Sequence, residues 1–261
     1  MASQPPATLP VLYKDLLPLQ STVHGGYRNR PNEKAPFFAN VHAVPLTIDE
    51  FVHAQRYYPI VFSAGDNPVP LALLGLNEGV NVFVDEEGAP FNPFYVPAYV
   101  RRYPYLLARL QPDAEELSLC FDPTSDLIGE GGEGEALFDG DKPTEQLNAI
   151  LKFCEDFEMS AQRTNAFMAE LKNLDLLIDG EVSIQAGDND QPFVYRGFQM
   201  IAEDKLHDMN GDQLRKINQN GILPLLMAHL FSLPQIRDIF GRQMMLGKVP
   251  AQMPQPEPAS A

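Results

Sequence analysis

PIVFSAGDNPVPLALLGLNEGVNVFVD, residues 59–85, decides the fold class of this chain. It holds three short apolar runs, at 60–63, 71–76 and 81–84. Gly65-Asp66-Asn67-Pro68 separates the first two, Asn77-Glu78-Gly79 the second two, and Glu87-Gly88 closes the last. Short apolar runs between such turn residues read as antiparallel strands. Residues 42–46 upstream and 117–121 downstream add two more short strands, which predicts an antiparallel meander or a partial barrel.

Working outward, Thr47 and Glu50 have capping-box spacing and open a short helix to about Tyr57. Residues 92–105 interrupt the strands. Pro97 suits the first turn of a helix, and Pro104 breaks or kinks it before it resumes through Leu110. The clearest helix starts at Pro143 and Thr144 and runs to about Asp175. Leu147, Ile150, Cys154, Phe157, Ala161, Thr164, Met168 and Leu171 form its single apolar stripe. That stripe packs on its own domain or, alternatively, dimerises as a coiled coil, so a homodimer is an open reading. Residues 181–186 and 193–201 alternate as a hairpin around a loop at 187–191. Two helices follow Glu203 and Gly211. Residues 221–245 are helical and apolar, with Ser232 placed as a cap two positions before Pro234.

The fold expected is therefore α+β: a small antiparallel sheet or partial barrel in the N-terminal half, and a helical layer with one hairpin in the C-terminal half. The organisation expected is a disordered tail at 1–10, a β-rich half at 11–122, an acidic Gly-rich loop at 123–142, a helical half with the hairpin at 143–246 and a disordered tail at 247–261, all in one domain. The length of 261 residues and the 44% hydrophobic content suit a globular core without staples.

Charge is concentrated. The chain carries 35 acids and 19 bases, a formal net charge of −16. Fourteen of those acids and only two bases fall in residues 113–158, and residues 113–141 hold ten acids and no base. Like charges interleaved with glycines at 129–135 predict a mobile, solvated loop. A cation site using Asp122, Asp126, Glu130, Asp139 and Asp141 is the alternative, although the spacing is not that of an EF-hand. The acidity argues against nucleic acid as a partner. No apolar run reaches the roughly 18 residues of a membrane span. Residues 1–20 lack the basic and apolar regions of a signal peptide, so a cytoplasmic location is expected, with leaderless export left open.

Familiar chemistries find no motif. The five histidines show no HxxxH pair, which argues against a metal site. There is no GxSxG elbow, and glutamates interrupt the only glycine cluster, so neither a nucleophilic serine nor a phosphate loop is expected. Cys120 and Cys154 lie in apolar settings and read as small core residues. No cofactor is expected.

The best candidate site is the aromatic and basic segment at 91–109. Tyr95, Tyr99 and Tyr103 stand four apart beside Arg101 and Arg102. Arginine forks recognise carboxylates, and tyrosine offers an amphipathic wall. The alternative is that the arginines tether acidic segments while the tyrosines fill the core. His229, between Ala228 and Leu230, is either a satisfied core histidine or a site residue.

Several strings occur together in order: YPIVF at 58–62, LGL at 74–76, NVFVD at 81–85, YVPAYVRRYP at 95–104, YRGF at 195–198, GIL at 221–223 and AHLFSL at 228–233. With them the chain resembles the SapC family of bacterial proteins over roughly residues 10–245, most specifically in PAYVRRYP. The resemblance implies a link to surface-layer biology and supplies no catalytic residues. Members tend to be encoded near outer-membrane receptors and flavin-dependent halogenase-like enzymes, which implies an accessory role. This chain departs in having no Trp, and carries Pro90-Phe91 where relatives often place one. The function expected is a non-catalytic binding or accessory protein for a peptide or small acidic ligand. The alternatives are an enzyme or enzyme partner acting on a peptide or amino-acid derivative, and a structural surface-layer component.

Overall fold

The computed structural model describes residues 9–31, 34–110, 116–185 and 192–248. Ile60–Ser63 and Pro70–Leu73 pair antiparallel, with Ile60 opposite Ala72 and Phe62 opposite Pro70. Ala43–Pro45 adds to the far side of Pro70–Leu73. The second strand stops at Leu73, short of the expected Leu76, and residues 81–84 form no ladder beyond an isolated bridge between Val84 and Pro90. The chain doubles back tightly here: a Cβ on Gly75 would lie 2.1 Å from the Val80 carbonyl oxygen. Asn81 then draws the backbone out of the sheet. Its buried amide donates to the Phe38 carbonyl and its oxygen accepts from the Phe83 N–H. Such local side-chain bonds compete with a ladder.

The hairpin is present as Leu177–Ile184 and Phe193–Ile201, with an irregularity in register between Gly180 and Val182. Its expected connecting loop lies outside the described residues. The expectation grouped this hairpin with the C-terminal helices. Instead Phe198 pairs with Ser63 and Gln199 with Phe62, so it joins the N-terminal strands edge to edge. One five-stranded antiparallel sheet results, in the order Leu177–Ile184, Phe193–Ile201, Ile60–Ser63, Pro70–Leu73, Ala43–Pro45. The fold is α+β with antiparallel sheets and, among the described residues, no closed barrel.

Helices cover this sheet. Glu145–Asn173 is capped by Thr144, whose hydroxyl accepts from the Leu147 N–H at 3.3 Å. Its stripe is buried at Leu147, Cys154, Thr164, Met168 and Leu171, covered by the same chain. The C-terminal region breaks into Ile222–Ser232 and Gln235–Met245. Ser232 does not cap the second helix. Its hydroxyl accepts from the Ile60 N–H at 2.8 Å and donates to the His229 carbonyl at 2.6 Å, which ties the helix to the start of a strand. A buried N–H left without an acceptor is costly, and this demand outranks capping.

A second sheet contains Leu17–Pro18, Ser118–Phe121 and Tyr105–Ala108. The last replaces the expected helical resumption after Pro104: four paired residues opposite Ser118–Phe121 override the helical preference of Leu and Ala, as tertiary context commonly does. The acidic stretch, expected as a mobile, solvated loop, carries short ladders. Ile128–Glu130 and Glu135–Ala136 flank Tyr27–Asn29, and Phe138–Asp139 pairs with Lys142–Pro143. Gly131, Gly132 and Gly134 supply the positive φ angles of the turn, while Glu130, Glu133 and Glu135 remain exposed. Asp122 is fully buried and accepts from Lys14 N–H, Thr124 N–H and the Thr124 hydroxyl. Among the described residues no group of three or more His, Cys, Asp or Glu is placed to hold a metal ion. No helix among them is long and apolar enough to cross a membrane.

Candidate functional site

The tyrosine–arginine segment is positioned by one buried carboxylate. Glu50, 4% exposed, closes the capping box by accepting from the Thr47 N–H and hydroxyl, each at 3.0 Å. Its other oxygen accepts from the Ala98 N–H at 2.6 Å and the Tyr95 hydroxyl at 2.9 Å. The Tyr58 hydroxyl donates to the Tyr95 carbonyl. Burial, with Glu50 alongside, pushes the Tyr95 phenol up to about 12. Pro97 leads into the single turn Ala98–Arg101, where Arg101 and Arg102 emerge on different surroundings.

Arg102 is buried, with 8% exposure. Its guanidinium lies 4.0 Å from the Phe157 ring centre and 4.8 Å from that of Tyr99, and Nη1 donates to Glu158 at 3.2 Å. Its Nε is buried with no hydrogen-bond partner among the described residues. Arg101 is exposed. Its Nε donates to the Val96 carbonyl at 3.1 Å, and the guanidinium sits 5.1 Å from the Phe153 ring centre and 5.8 Å from that of Tyr95. It meets no carboxylate among the described residues.

The three tyrosines do not form one wall, because the helix between them is only one turn long. The Tyr99 hydroxyl leaves the segment to donate to the Val11 carbonyl at 2.6 Å. Tyr103 is packed between Phe37 and Tyr13, with ring centres 4.3 and 5.3 Å away. Burial raises both phenols above their ordinary value. His229 stands apart from the segment, fully buried behind the sheet, stacked on Phe62 and accepting from the Ile201 N–H at 3.1 Å.

Arg101, Arg102 and Tyr103 meet at a cleft of about 720 Å³ between this segment, the start of Glu145–Asn173 and residues 29–31 and 34–38. Volumes of this size suit small organic ligands. Phe37, Phe94, Ile150 and Phe153 contribute apolar wall, with Cys154 also on the lining. The charged residues on the lining are Arg30, Lys34, Arg101 and Arg102, with no Asp, Glu or His among the described lining residues. Arg30 donates to the Asp126 carbonyl at 3.2 Å, and Lys34 pairs with Glu87 at the surface. Tyr95, Tyr99 and His229 do not line the cleft; the first two act on it through Arg101 and Arg102. A second concavity, of about 730 Å³, lies among the C-terminal helices beside Leu214, Met227 and Phe231, with both Glu203 and Arg237 on its lining.

The chemistry available in the first cleft is recognition of negative charge beside an apolar body. Burial pushes the Cys154 thiol up to about 11 and raises the Tyr105 phenol, so both stay protonated near neutral pH. Sequence reasoning missed Glu50 as an organiser, although its capping box was legible, and missed Arg30 and Phe153. Phe153 sits one position off the helix stripe, which gave no signal that it faces Arg101.

Comparison with curated proteins and with solved structures returns no match. The SapC family model matches residues 19–239, a span holding the five-stranded sheet, the cleft and the helices around them, and the chain belongs to the SapC family.

Proposed function

We propose that this chain is a non-catalytic binding or accessory protein of the SapC type, which takes a small acidic or peptide-like ligand into the cleft beside Arg101 and Arg102. One observation carries the reading: in a chain of net charge −16, the lining gathers four cations and no acid among its described residues. Such a concentration focuses positive potential into an apolar-walled space and draws anions to it. Among the described lining residues the thiol and the Tyr105 phenol stay protonated and the guanidiniums stay charged near neutral pH, and none is an Asp, Glu or His, which favours binding over turnover.

The test is a thermal-shift screen of small acids and short acidic peptides against the wild type and Arg101→Ala. Stabilisation by acidic compounds that weakens in the variant is expected. Stabilisation by none of them, or equal stabilisation of both proteins, would defeat the reading.

A further inference from the structure

We infer that the cleft selects an amphiphilic organic acid, with a carboxylate head beside Arg101 and Arg30 and an aromatic or acyl body along the Phe37, Phe94 and Phe153 wall. This rests on the binding reading above and narrows its ligand class. Three observations lead to it.

The first is the unequal state of the cations. Arg102 already has Glu158 at 3.2 Å and two aromatic faces, so its charge is largely answered inside the protein. Lys34 has Glu87. Among the described residues Arg101 donates to the Val96 carbonyl and to the Tyr95 hydroxyl at 3.5 Å and lies over the Phe153 and Tyr95 rings, and Arg30 donates to the Asp126 carbonyl; neither meets a carboxylate there. Two guanidiniums with no carboxylate partner among the described residues therefore line one cleft, in a chain whose acids outnumber its bases by 35 to 19. A guanidinium presents a planar fork of donors that fits a carboxylate.

The second is the remaining wall. Phe37, Phe94, Val96, Ile150 and Phe153 are partly buried side chains that keep some surface open. Covering apolar surface is the main source of affinity in such sites. A compact acid with no apolar body would leave this wall wet. A peptide lacking apolar side chains would also have to bury backbone amides against it without partners.

The third concerns the head. A dianion such as a phosphate monoester would lose more hydration in this apolar setting than a carboxylate does, with Arg101 and Arg30 the cations that meet no carboxylate among the described lining residues. Arg101, exposed and held by its bond to Val96, is the specificity-determining group for the head. Phe153, 5.1 Å from that guanidinium, links head and body subsites.

Isothermal titration of the full chain with four probes tests this: naphthalene-2-acetate, naphthalene-2-acetamide, 2-naphthyl phosphate and N-acetyl-triglutamate amide. Expected is binding of naphthalene-2-acetate that is about tenfold or more tighter than its amide, since a charge-assisted pair is what separates them. Arg101→Gln should remove most of that difference and leave amide binding unchanged. Phe153→Ala should weaken acid and amide together. Circular dichroism and melting of each variant confirm that it is folded. Equal binding of acid and amide overturns the inference, as does phosphate binding tenfold tighter than carboxylate. Arg101-dependent binding of the triglutamate alone overturns the amphiphile and preserves the broader acidic-ligand reading. Binding of none of the four to the wild type overturns the amphiphilic acid, while the broader reading then stands or falls on the acid and peptide screen.

Discussion

The carboxylate of Glu50 and the backbone N–H of Ala98, 48 positions apart in the chain, meet in a buried hydrogen bond of 2.6 Å. Through it a capping box at the edge of the sheet sets where the tyrosine–arginine turn begins. Both carboxylate oxygens are in use, each facing two donors.

Glu50→Gln puts an NH2 group where an oxygen meets donors, so at least two N–H or O–H groups lose their acceptor. Buried donors left unpaired cost about 1–3 kcal/mol each, and the expected loss is about 2–3 kcal/mol after local relaxation. Urea unfolding of the two proteins measures it. A loss under about 0.5 kcal/mol would show that Glu50 does not organise this region.

The two arginines should separate cleanly. Arg102→Ala removes a buried, stacked guanidinium and leaves Glu158 half-buried without its partner, for an expected loss of about 2–3 kcal/mol. Arg102→Lys should recover little, because an ammonium cannot stack as the planar fork does. Arg101→Ala, at an exposed position, should shift stability by less than about 0.5 kcal/mol. Thermal melts of the three variants check this, and similar losses at both positions would contradict the division of roles.

Gly180 lies opposite Phe198 in the hairpin, and a Cβ on it would come within 2.2 Å of the Phe198 ring. Gly180→Ala therefore forces the ring aside, at an expected cost of about 1–3 kcal/mol. Phe198→Ala should itself cost about 3–5 kcal/mol as a core truncation. Once the ring is gone the alanine fits, so the double variant should be less destabilised than the two single losses added together. Strict additivity would mean that the ring moves away freely.

His229 gives the protein a pH dependence of defined sign. Burial lowers its imidazole to about 4, from an ordinary value near 6.5. Between those two pH values the unfolded chain binds a proton there that the folded one does not, so stability falls as pH falls through the window and is fully present above it. The loss by pH 4 is on the order of 3 kcal/mol. Asp49, held down by its hydrogen bond to Arg163, contributes at the acidic end only, below the ordinary carboxylate range. Unfolding free energies measured from pH 7.5 to 4.5 for wild type and His229→Gln should show a shallower slope in the variant. Parallel slopes would remove His229 as the cause.

Legibility of the sequence followed the range of the interactions. The capping box at Thr47, the helix from Thr144 and the hairpin strands were readable because propensity, turn chemistry and periodicity act over a few neighbours. The pairing of Phe198 with Ser63 was not, since either strand pattern is compatible with many partners. Tyr105–Ala108 misled for the same reason, its leucines and alanine reading as helix until Ser118–Phe121 lies beside them. At the site, Arg101, Arg102 and Tyr103 were legible as a local cluster, whereas Tyr95 and Tyr99 shared their spacing and served other contacts. Arg30 and Phe153 reach the cleft only through the tertiary fold.

The junction of Ile60–Ser63 with Phe193–Ile201 also governs how the molecule is made. During synthesis the N-terminal strands leave the ribosome long before the hairpin that completes their sheet. Until then the Ile60–Ser63 edge, three of whose four residues become buried in the finished protein, offers unpaired backbone groups beside apolar side chains. Such an edge recruits foreign strands. Nascent chains halted before residue 193 should therefore depend on holdase chaperones for solubility, and that dependence should end once the hairpin has emerged.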